Sequence, residues 1–206
     1  MSVQRYLDRI LNRKRYLVSV LQETTNKPII QSIVSDDVRE AFKDFVKLVK
    51  YKYCAVAGGL AVCKYTEPRA TMDIDIITTG AEGATEIKDE VSDKFYKVNL
   101  NVLKHKATGI KLELLTPDFI AIPEELIDDS LNTAIYDGNI KVVDVRHLIA
   151  LKLNDRALDK KSFKSDMDRS DIKRLIKTYG VQDLSDLNLE QKYMDLYNQL
   201  IKELEL

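Results

Sequence analysis

Residues 53–80 have the sequence YCAVAGGLAVCKYTEPRATMDIDIITTG, and their last third alternates acids with isoleucines. Asp73 and Asp75 stand two positions apart, separated by Ile74 and followed by Ile76. A two-residue step along a strand returns a side chain to the same face, at a backbone separation of roughly 6.5–7 Å. Two carboxylates held in this way repel each other unless a proton or a hard cation lies between them. The pattern therefore predicts a strand that presents two carboxylates to a metal ion.

The composition predicts a globular protein and shows no zinc-binding pattern. The chain has 206 residues, 45% of them apolar and 32% charged, which suffices for one sizeable domain or two small ones. Its formal net charge of −1 gives no general attraction to nucleic acid, so such a partner requires a local patch. His105 and His147 are isolated from each other and from the two cysteines, Cys54 and Cys63, which leaves no zinc pattern. Because the sequence shows neither a signal peptide nor an apolar run of roughly 18–20 residues, we expect a cytoplasmic protein with reduced cysteines and no membrane partner.

Apolar periodicity and capping residues predict helices towards both ends of the chain and strands in its centre. Ser35 is the expected N-cap of the second helix, and Ser165 or Asp166 that of the helix ending at Gly180. The predicted helices span residues 3–24, 35–50, 85–92, 145–158, 165–180 and 189–204, with a further one from the Gly58-Gly59 turn to Tyr65. The predicted strands span residues 54–57, 72–77, 95–98, 110–115, 134–136 and 140–143, the last two joined at Asp137-Gly138. We expect an α+β fold with a mixed sheet, in which residues 1–145 form the core with N-terminal helices and residues 146–206 form a C-terminal helical region.

The Gly58-Gly59 pair precedes a predicted helix and allows two interpretations. Glycines at this place let backbone N–H groups approach an anion, and the positive end of the helix dipole adds to the attraction. Glycines at a strand-to-helix turn also occur for turn geometry alone. The pair is neither a P-loop nor a dinucleotide fingerprint, because no Gly-Lys-Ser/Thr and no third glycine follow.

Glu113 is the third candidate ligand. It lies on the predicted strand 110–115, on the face opposite three aliphatic side chains. It is either a metal ligand or an outward-facing residue beside Lys111. If its strand lies beside that of Asp73 and Asp75, the three acids converge on a site for two cations.

In order and approximate spacing, these features resemble the DNA polymerase β-like nucleotidyltransferase superfamily. Its members have a Gly-Gly or Gly-Ser turn, a helix, an Asp-x-Asp strand and a third carboxylate, more often aspartate than glutamate, on a later strand. The run RATMDID from Arg69 to Asp75 is similar to the R-x-T-x-D-I-D signature of the AbiEii and MenT-type branch. That branch includes toxins of bacterial toxin–antitoxin systems and related stand-alone proteins.

The same branch carries a later helix with a lysine and then a D-x-x-D segment. Here residues 145–154 (VRHLIALKLN) supply Lys152, and the acids are Asp168 and Asp171. A purely structural interpretation is open for all three: Lys152 covers the exposed side of its helix, and the acids are first-turn residues favoured by the helix dipole. Together the motifs span residues 53–176.

The resemblance implies transfer of a nucleotidyl group from a nucleoside triphosphate, such as ATP, to a hydroxyl acceptor, with two Mg²⁺ ions as cofactors. Transfer of this kind relies on positioning and electrostatics more than on covalent chemistry by the protein. The implied roles are metal binding by Asp73, Asp75 and Glu113, nucleotide binding by Gly58, Gly59, Arg69, Thr71 and Lys152, and further catalytic roles for Lys152 and Asp171.

The acceptor is left open by the sequence. Arg5, Arg9, Arg13, Lys14 and Arg15 make the first predicted helix basic, which suits an RNA backbone, a solvated face or an acidic protein partner. The family resemblance allows a tRNA 3′ end or a protein hydroxyl as the acceptor, and it allows an antitoxin protein as a partner.

Two other functions compete with nucleotidyl transfer. The Asp-x-Asp pair also occurs in metal-dependent nucleotide-sugar glycosyltransferases, although the glycine turn just upstream and the short chain argue against that class. An inactive module that only binds a nucleotide or a partner protein is the other alternative. All three candidate metal positions are acidic, which favours activity.

Overall fold

The structure is a computed structural model. It describes residues 35–50, 52–67, 69–119, 122–154 and 162–204. The helix predicted at residues 3–24, with the basic face that it carries, lies outside the described residues.

Seven helices and seven strands form within the described ranges. The helices are α1 (Asp36–Leu48), α2 (Gly58–Tyr65), α3 (Gly80–Glu90), α4 (Glu124–Thr133), α5 (Val145–Leu153), α6 (Phe163–Tyr179) and α7 (Gln191–Lys202). The strands are β1 (Cys54–Val56), β2 (Asp73–Thr78), β3 (Phe95–Lys97), β4 (Val102–His105), β5 (Lys111–Leu115), β6 (Ile135–Asp137) and β7 (Ile140–Val142).

The strands form one mixed sheet in the order β3-β4-β5-β2-β1-β7-β6. β2 pairs with β5, and β1 with β7, in parallel; the other neighbours are antiparallel. A parallel pair requires a crossover, and the chain provides it between β2 and β5 through α3 and the β3–β4 hairpin. The predicted α+β fold with a mixed sheet is therefore confirmed.

β2 lies in the middle of the sheet and has one apolar face. Ile74 and Ile76 on this face are completely buried, as is Ile77 on the other face, whereas Asp73 and Asp75 keep partial exposure. β-branched side chains pack well on a pleated surface, so these isoleucines favour a strand at this place. The predicted alternation of β2 is present in the structure.

Helix α1 covers the face of the sheet opposite the acids. Ser35 begins it by accepting a hydrogen bond from a first-turn backbone N–H, as the sequence predicts. The Oδ2 atom of Asp44 on this helix lies 3.3 Å from Nε2 of the buried His105 on β4. The His105 ring packs on the ring of Phe95, with centroids 5.0 Å apart. α1 therefore packs against the β3–β4 face that bears Phe95 and His105.

Two elements are absent from the sequence prediction. Strand β4 has the sequence VLKH, with two apolar and then two basic residues, so it lacks the alternation that identifies a half-buried strand. Its extended state depends on pairing with β3 and β5 on its two sides. Helix α4 follows Pro123 and has Glu124 and Glu125 in its first turn, a helix-start signal that the sequence prediction did not use.

Several predicted boundaries are also wrong. Helix α3 begins at Gly80 rather than Thr85. Helix α5 ends at Leu153, with residues 155–161 outside the described part of the chain. The cap of α6 is Ser162, whose hydroxyl accepts from the backbone N–H of Ser165, so Ser165 lies inside the helix instead of capping it.

The C-terminal helices pack on the central part of the chain. α5 and α6 both contact α2, and α7 contacts α6. The division of the chain near residue 145 stays a prediction. Within the described ranges, no helix has the length and apolar character needed to cross a membrane.

A buried ion pair connects α2 to the β6–β7 hairpin. Nζ of Lys64 lies 2.7 Å from Oδ2 of Asp137, and each side chain is only 4% exposed. Next to it, the hydroxyl of Tyr65 donates to the carbonyl of Val143 over 2.9 Å. Two charges removed from water are tolerated only while they remain paired, because desolvation of a lone buried charge costs several kcal/mol. The pair therefore positions the hairpin against α2.

We predict that Lys64→Met lowers the free energy of unfolding by about 3–5 kcal/mol, because Asp137 is left as an uncompensated buried charge. Adding Asp137→Leu to this variant should recover most of the loss. Urea denaturation of both variants measures the difference. Lys192→Met, which removes an exposed pair with Glu190, is the control and should leave stability nearly unchanged. Equal stabilities of the single and double variants at Lys64 would contradict the prediction.

Candidate functional site

The three predicted acids lie side by side on one face of the sheet. In the β2–β5 pair, Asp73 stands opposite Lys111 and Asp75 opposite Glu113. Adjacent strands are about 4.8 Å apart, and residues in register point to the same face. The condition under which the acids converge, a β5 strand beside β2, is therefore met. The structure therefore places Asp73, Asp75 and Glu113 next to one another on one face of the sheet, although their carboxylates do not form a group that encloses an ion.

Asp75 lies in surroundings that disfavour its ionised form. Burial raises the pKa of its carboxyl to about 7, and the negative charges of Asp73 and Glu113 contribute to the rise. The positive charges of Lys152 and Lys111 oppose it but do not cancel it. A carboxylate whose ionised form is disfavoured by two neighbouring acids gains stability when a cation binds beside it.

Two polar neighbours hold the Glu113 carboxylate. The ammonium of Lys111 contacts Oε2, and the side-chain amide of Asn101 donates to Oε1 over 3.3 Å. The backbone carbonyl of Asn101 also accepts from the Leu114 N–H at 2.7 Å. Glu113 thus lies beside both Lys111 and Asp75. The two interpretations of Glu113, as a metal ligand or as an outward-facing residue beside Lys111, therefore do not exclude each other.

The Gly58-Gly59 turn packs directly against the acid strand. A Cβ on Gly58 would lie 1.7 Å from Oδ2 of Asp75, and Gly58 has a φ of +54°. A Cβ on Gly59 would lie 2.5 Å from the hydroxyl oxygen of Thr71. The backbone N–H of Ala57 donates to the carbonyl of Asp75 at 2.9 Å. The glycines are therefore required for close approach to β2, and not only for the turn.

The same glycines begin helix α2. Its N-cap is Ala57, which has no side chain able to cap the helix. The first-turn N–H groups of a helix have no partner inside the helix, and they bear the positive end of its dipole. Gly58 and Gly59 therefore place the positive end of a helix dipole next to Asp75, an arrangement that can attract an anion.

Four charged side chains form a buried network beside the acids. Arg69 donates from Nε and Nη2 to the two carboxylate oxygens of Asp171, at 2.8 and 2.7 Å. Nζ of Lys152 lies 3.0 Å from Asp171 and 2.5 Å from Asp168. Burial disfavours the charge on Asp171, but the hydrogen bond from Arg69 and the charge of Lys152 outweigh it and hold its pKa below the ordinary value. For Lys152, the two aspartates outweigh burial and raise the pKa.

This network corrects the purely structural interpretation of its members. Lys152 is only 7% exposed, so it does not cover the outside of its helix. Asp168 and Asp171 lie beyond the first turn of α6, which begins at Phe163. Both predicted phosphate-binding cations, Arg69 and Lys152, are paired with carboxylates in this structure.

The network and the acid face are adjacent. The Thr71 hydroxyl lies 3.5 Å from Oδ1 of Asp73, and a Cβ on Gly59 would lie 3.2 Å from Nη2 of Arg69. The charge of Lys152 also acts on Asp75. The structure therefore brings all the predicted site residues into one region: Gly58, Gly59, Arg69, Thr71, Asp73, Asp75, Glu113, Lys152 and Asp171.

The donor set of the acid face suits a hard divalent cation. Its side chains offer carboxylate oxygens, the ligands that Mg²⁺ prefers, and the mutual repulsion around Asp75 favours added positive charge. Among the residues that the structure describes, no three His, Cys, Asp or Glu side chains lie close enough together to enclose an ion. Glu113 contacts Lys111 instead.

Sequence reasoning missed one of the two partners that hold Glu113. Lys111 was visible as its neighbour on the strand, but the cross-strand pairing of Lys111 with Asp73 was not. Asn101 gave no signal, because its contact depends on β4, which the sequence did not predict.

We predict that Gly58→Ala destabilises the protein more than Gly109→Ala does. Both glycines have positive φ, of +54° and +73°, so each substitution strains the backbone by about 1–2 kcal/mol. A Cβ at Gly109 meets nothing within 4 Å, whereas one at Gly58 overlaps Asp75 and adds ~1–3 kcal/mol. Denaturant unfolding compares them, and equal losses would contradict the close packing of the turn on β2.

We also predict that Asp75→Asn stabilises the protein in a chelating buffer, and more so at pH 8 than at pH 5. In the unfolded chain an aspartate has a pKa of about 3.9. With a folded pKa of about 7, the folded state binds more protons than the unfolded state between these values. Stability contributed by Asp75 therefore falls as pH rises from about 4 to about 7 and then stays constant.

The asparagine variant lacks this loss. Thermal unfolding midpoints at several pH values give the measurement, with the exposed Asp93→Asn as the control. A difference between variant and wild type that does not grow from pH 5 to pH 8 would refute the raised pKa.

Comparison with known proteins supports the fold. No protein-family model and no curated protein matches the chain. Among solved structures, it is similar to an antigenic nucleotidyltransferase-like protein from Paracoccidioides brasiliensis, with a TM-score of 0.52 and 18% identity over 81% of this chain and 85% of that chain. At this identity the likeness concerns the fold alone. The chain therefore has a nucleotidyltransferase-like fold.

Proposed function

We propose that the protein is a Mg²⁺-dependent nucleotidyltransferase, which moves a nucleoside monophosphate from a nucleoside triphosphate to a hydroxyl acceptor. One observation carries the proposal: Asp73, Asp75 and Glu113 lie on one sheet face, with the Gly58 helix start packed against Asp75. The nucleotidyltransferase-like fold agrees with this assignment.

The proposed metal ligands are Asp73, Asp75 and Glu113. Mg²⁺, with two ions expected, supplies neutralisation of phosphate charge and acidification of the acceptor hydroxyl when bound there. Gly58 and Gly59 bind the β- and γ-phosphates through their backbone N–H groups, helped by the dipole of α2. The nucleotide and the acids are thereby positioned by neighbouring elements, the turn before α2 and the β2–β5 strand pair.

The proposed reaction is a single displacement at phosphorus. The acceptor oxygen forms a bond to the α-phosphorus while the bond from that phosphorus to the β-bridging oxygen breaks. Glu113 accepts the hydroxyl proton, and pyrophosphate leaves. Because the chain forms no covalent bond to the nucleotide, its contribution is positioning and electrostatic stabilisation.

Arg69 and Lys152 complete the proposed nucleotide site. Arg69 is the more accessible of the two, with a side chain 19% exposed, and its pairing with Asp171 orients its guanidinium beside Gly59. Lys152 adds positive potential at Asp75 from within the network. We assign them to the charge of the leaving pyrophosphate, and Thr71 to the orientation of Asp73.

The finer classification rests on the run from Arg69 to Asp75. We place the chain in the AbiEii and MenT-type branch on this motif, with a role in a toxin–antitoxin or phage-defence system and an antitoxin protein as its partner. A tRNA 3′ end and a protein hydroxyl are the two acceptor classes that this branch suggests.

We predict that Asp73→Ala reduces nucleotidyl transfer by at least about a thousandfold, because it removes a metal ligand from the site. The measurement is incubation with each α-³²P-labelled nucleoside triphosphate, Mg²⁺ and total cellular RNA or protein. Labelled acceptor with the wild type and none with the variant is the expected result. Full activity of Asp73→Ala with Mg²⁺ would refute the assignment.

Two companion assays, Mg²⁺-dependent nucleotide binding and turnover of a sugar nucleotide, separate the alternatives. Mg²⁺-dependent nucleotide binding without labelled product across both acceptor pools would identify an inactive binding module. Transfer or hydrolysis of a sugar nucleotide instead would identify a glycosyltransferase. Exposed Asp93→Ala provides the matched aspartate control and should retain transfer.

A further inference from the structure

The strand register places Lys111 within reach of the acids. On β5 it stands two residues before Glu113, so both side chains point to the same face of the sheet. Across the β2–β5 pair it stands opposite Asp73. Its charge also acts on Asp75. A positive side chain therefore lies among the carboxylates that are the proposed metal ligands.

Both oxygens of the Glu113 carboxylate are engaged by the chain itself. The Lys111 ammonium contacts Oε2, and the side-chain amide of Asn101 donates to Oε1 over 3.3 Å. Among the described residues, no three ligating side chains lie close enough together to enclose an ion. The charge of Glu113 is thus balanced by an ammonium, in a conformation that does not surround a metal.

An ammonium and a divalent cation compete for one carboxylate. Both are positive, so they repel each other when they contact the same group. The divalent cation has twice the charge and approaches a carboxylate oxygen to about 2.0–2.1 Å in the case of Mg²⁺, whereas a charged hydrogen bond spans about 2.7–2.9 Å. A divalent cation that has further carboxylate ligands nearby therefore displaces the ammonium.

The two partners of Glu113 differ in their freedom to move. The Lys111 side chain is 39% exposed, and its flexible four-carbon stem allows the ammonium to turn into solvent. Asn101 is fixed by its backbone, because its N–H donates to Oδ1 of Asn99 over 3.0 Å and its carbonyl accepts from the Leu114 N–H over 2.7 Å. Lys111 is therefore the partner that can leave, while Asn101 stays beside Oε1.

We propose that Lys111 is an internal counter-cation of the acid face, which holds Glu113 while no metal is bound and is displaced from it when a divalent cation binds. Displacement frees Oε2, so Glu113 joins Asp73 and Asp75 as a ligand only in the metal-loaded protein. Lys111 is then a positioning residue that lowers the affinity of the site for metal and balances its charge when metal is absent. The inference rests on the proposed function, because it requires the metal site named there.

Lys104 offers a matched control for the charge of Lys111. It stands opposite Lys111 in the antiparallel β4–β5 pair, and residues in register share a face. It therefore carries the same charge on the same face, one strand further from Asp73 and Asp75. Its removal changes the electric field at the acids without removing either partner of Glu113.

We predict that Lys111→Met binds Mn²⁺, a spectroscopic substitute for Mg²⁺, about 5- to 20-fold more tightly than the wild type, because the competing charge at Glu113 is removed. The electron paramagnetic resonance signal of free Mn²⁺, titrated with the full chain and no nucleotide, measures the affinity. Lys111→Arg keeps the charge and should not show the gain. Lys104→Met should change the affinity less than about twofold, because its charge lies about two strand spacings from Asp73 and is screened at 0.15 M salt.

Glu113→Gln tests whether the effect of Lys111 passes through this carboxylate. We expect Lys111→Met to give little or no gain in a Glu113→Gln background, because the group for which ammonium and metal compete is then absent. A field effect on Asp73 and Asp75 would give the same gain in both backgrounds. Equal gains in the two backgrounds, or equal gains from Lys111→Met and Lys104→Met, would overturn the inference. Thermal unfolding in a chelating buffer confirms that each variant is folded.

The outcomes separate this inference from the proposed function. The expected result is a gain in Lys111→Met that is lost when Asp73→Ala is added. Mn²⁺ binding that Asp73→Ala abolishes and Lys111→Met leaves unchanged would retain the metal site and reject the role of Lys111. Absence of Mn²⁺ binding in the wild type and in Lys111→Met alike would overturn both.

Discussion

The register of the parallel β2–β5 pair is the constraint on which the candidate site depends. It places Glu113 beside Asp75, and it aligns Lys111 with Asp73. A slip by one residue would turn Glu113 to the buried face and bring the fully buried Leu112 onto the acid face. The register is therefore maintained by burial of the aliphatic side chains on the other face, and the chemistry of the acid face follows from that packing.

The clustered carboxylates of the acid face destabilise the folded state. Burial and two neighbouring acids disfavour the charge on Asp75, so the site concentrates negative charge at the centre of the sheet. The surrounding lysines reduce this repulsion: Lys111 contacts Glu113, and Lys152 belongs to a network with two aspartates and Arg69. The aliphatic core supplies the stability that permits such a cluster, as is common for functional sites.

Local patterns predicted most of the fold. The Ser35 cap, the alternation of β2 and the Asp137-Gly138 turn each depend on a few consecutive residues, and each is present in the structure. Strand β4 was missed because it owes its conformation to the strands on both sides rather than to its own four residues. Helix α4 was missed although its first-turn acids gave a local signal. Interactions within a segment are thus visible in the sequence, and those between segments are not.

The sequence by itself determined which side chains share a face, because the period of two along a strand puts Asp73 and Asp75 together whatever the strand pairs with. It also indicated a strand-to-helix turn at Gly58-Gly59, but not that this turn packs against Asp75. Only the tertiary structure decided that Glu113 joins them, that Arg69 and Lys152 pair with Asp171, and that Lys104 lies in line with Asp73. These contacts join residues far apart in the chain, and they form because the sheet and its helices bury their apolar faces as a whole.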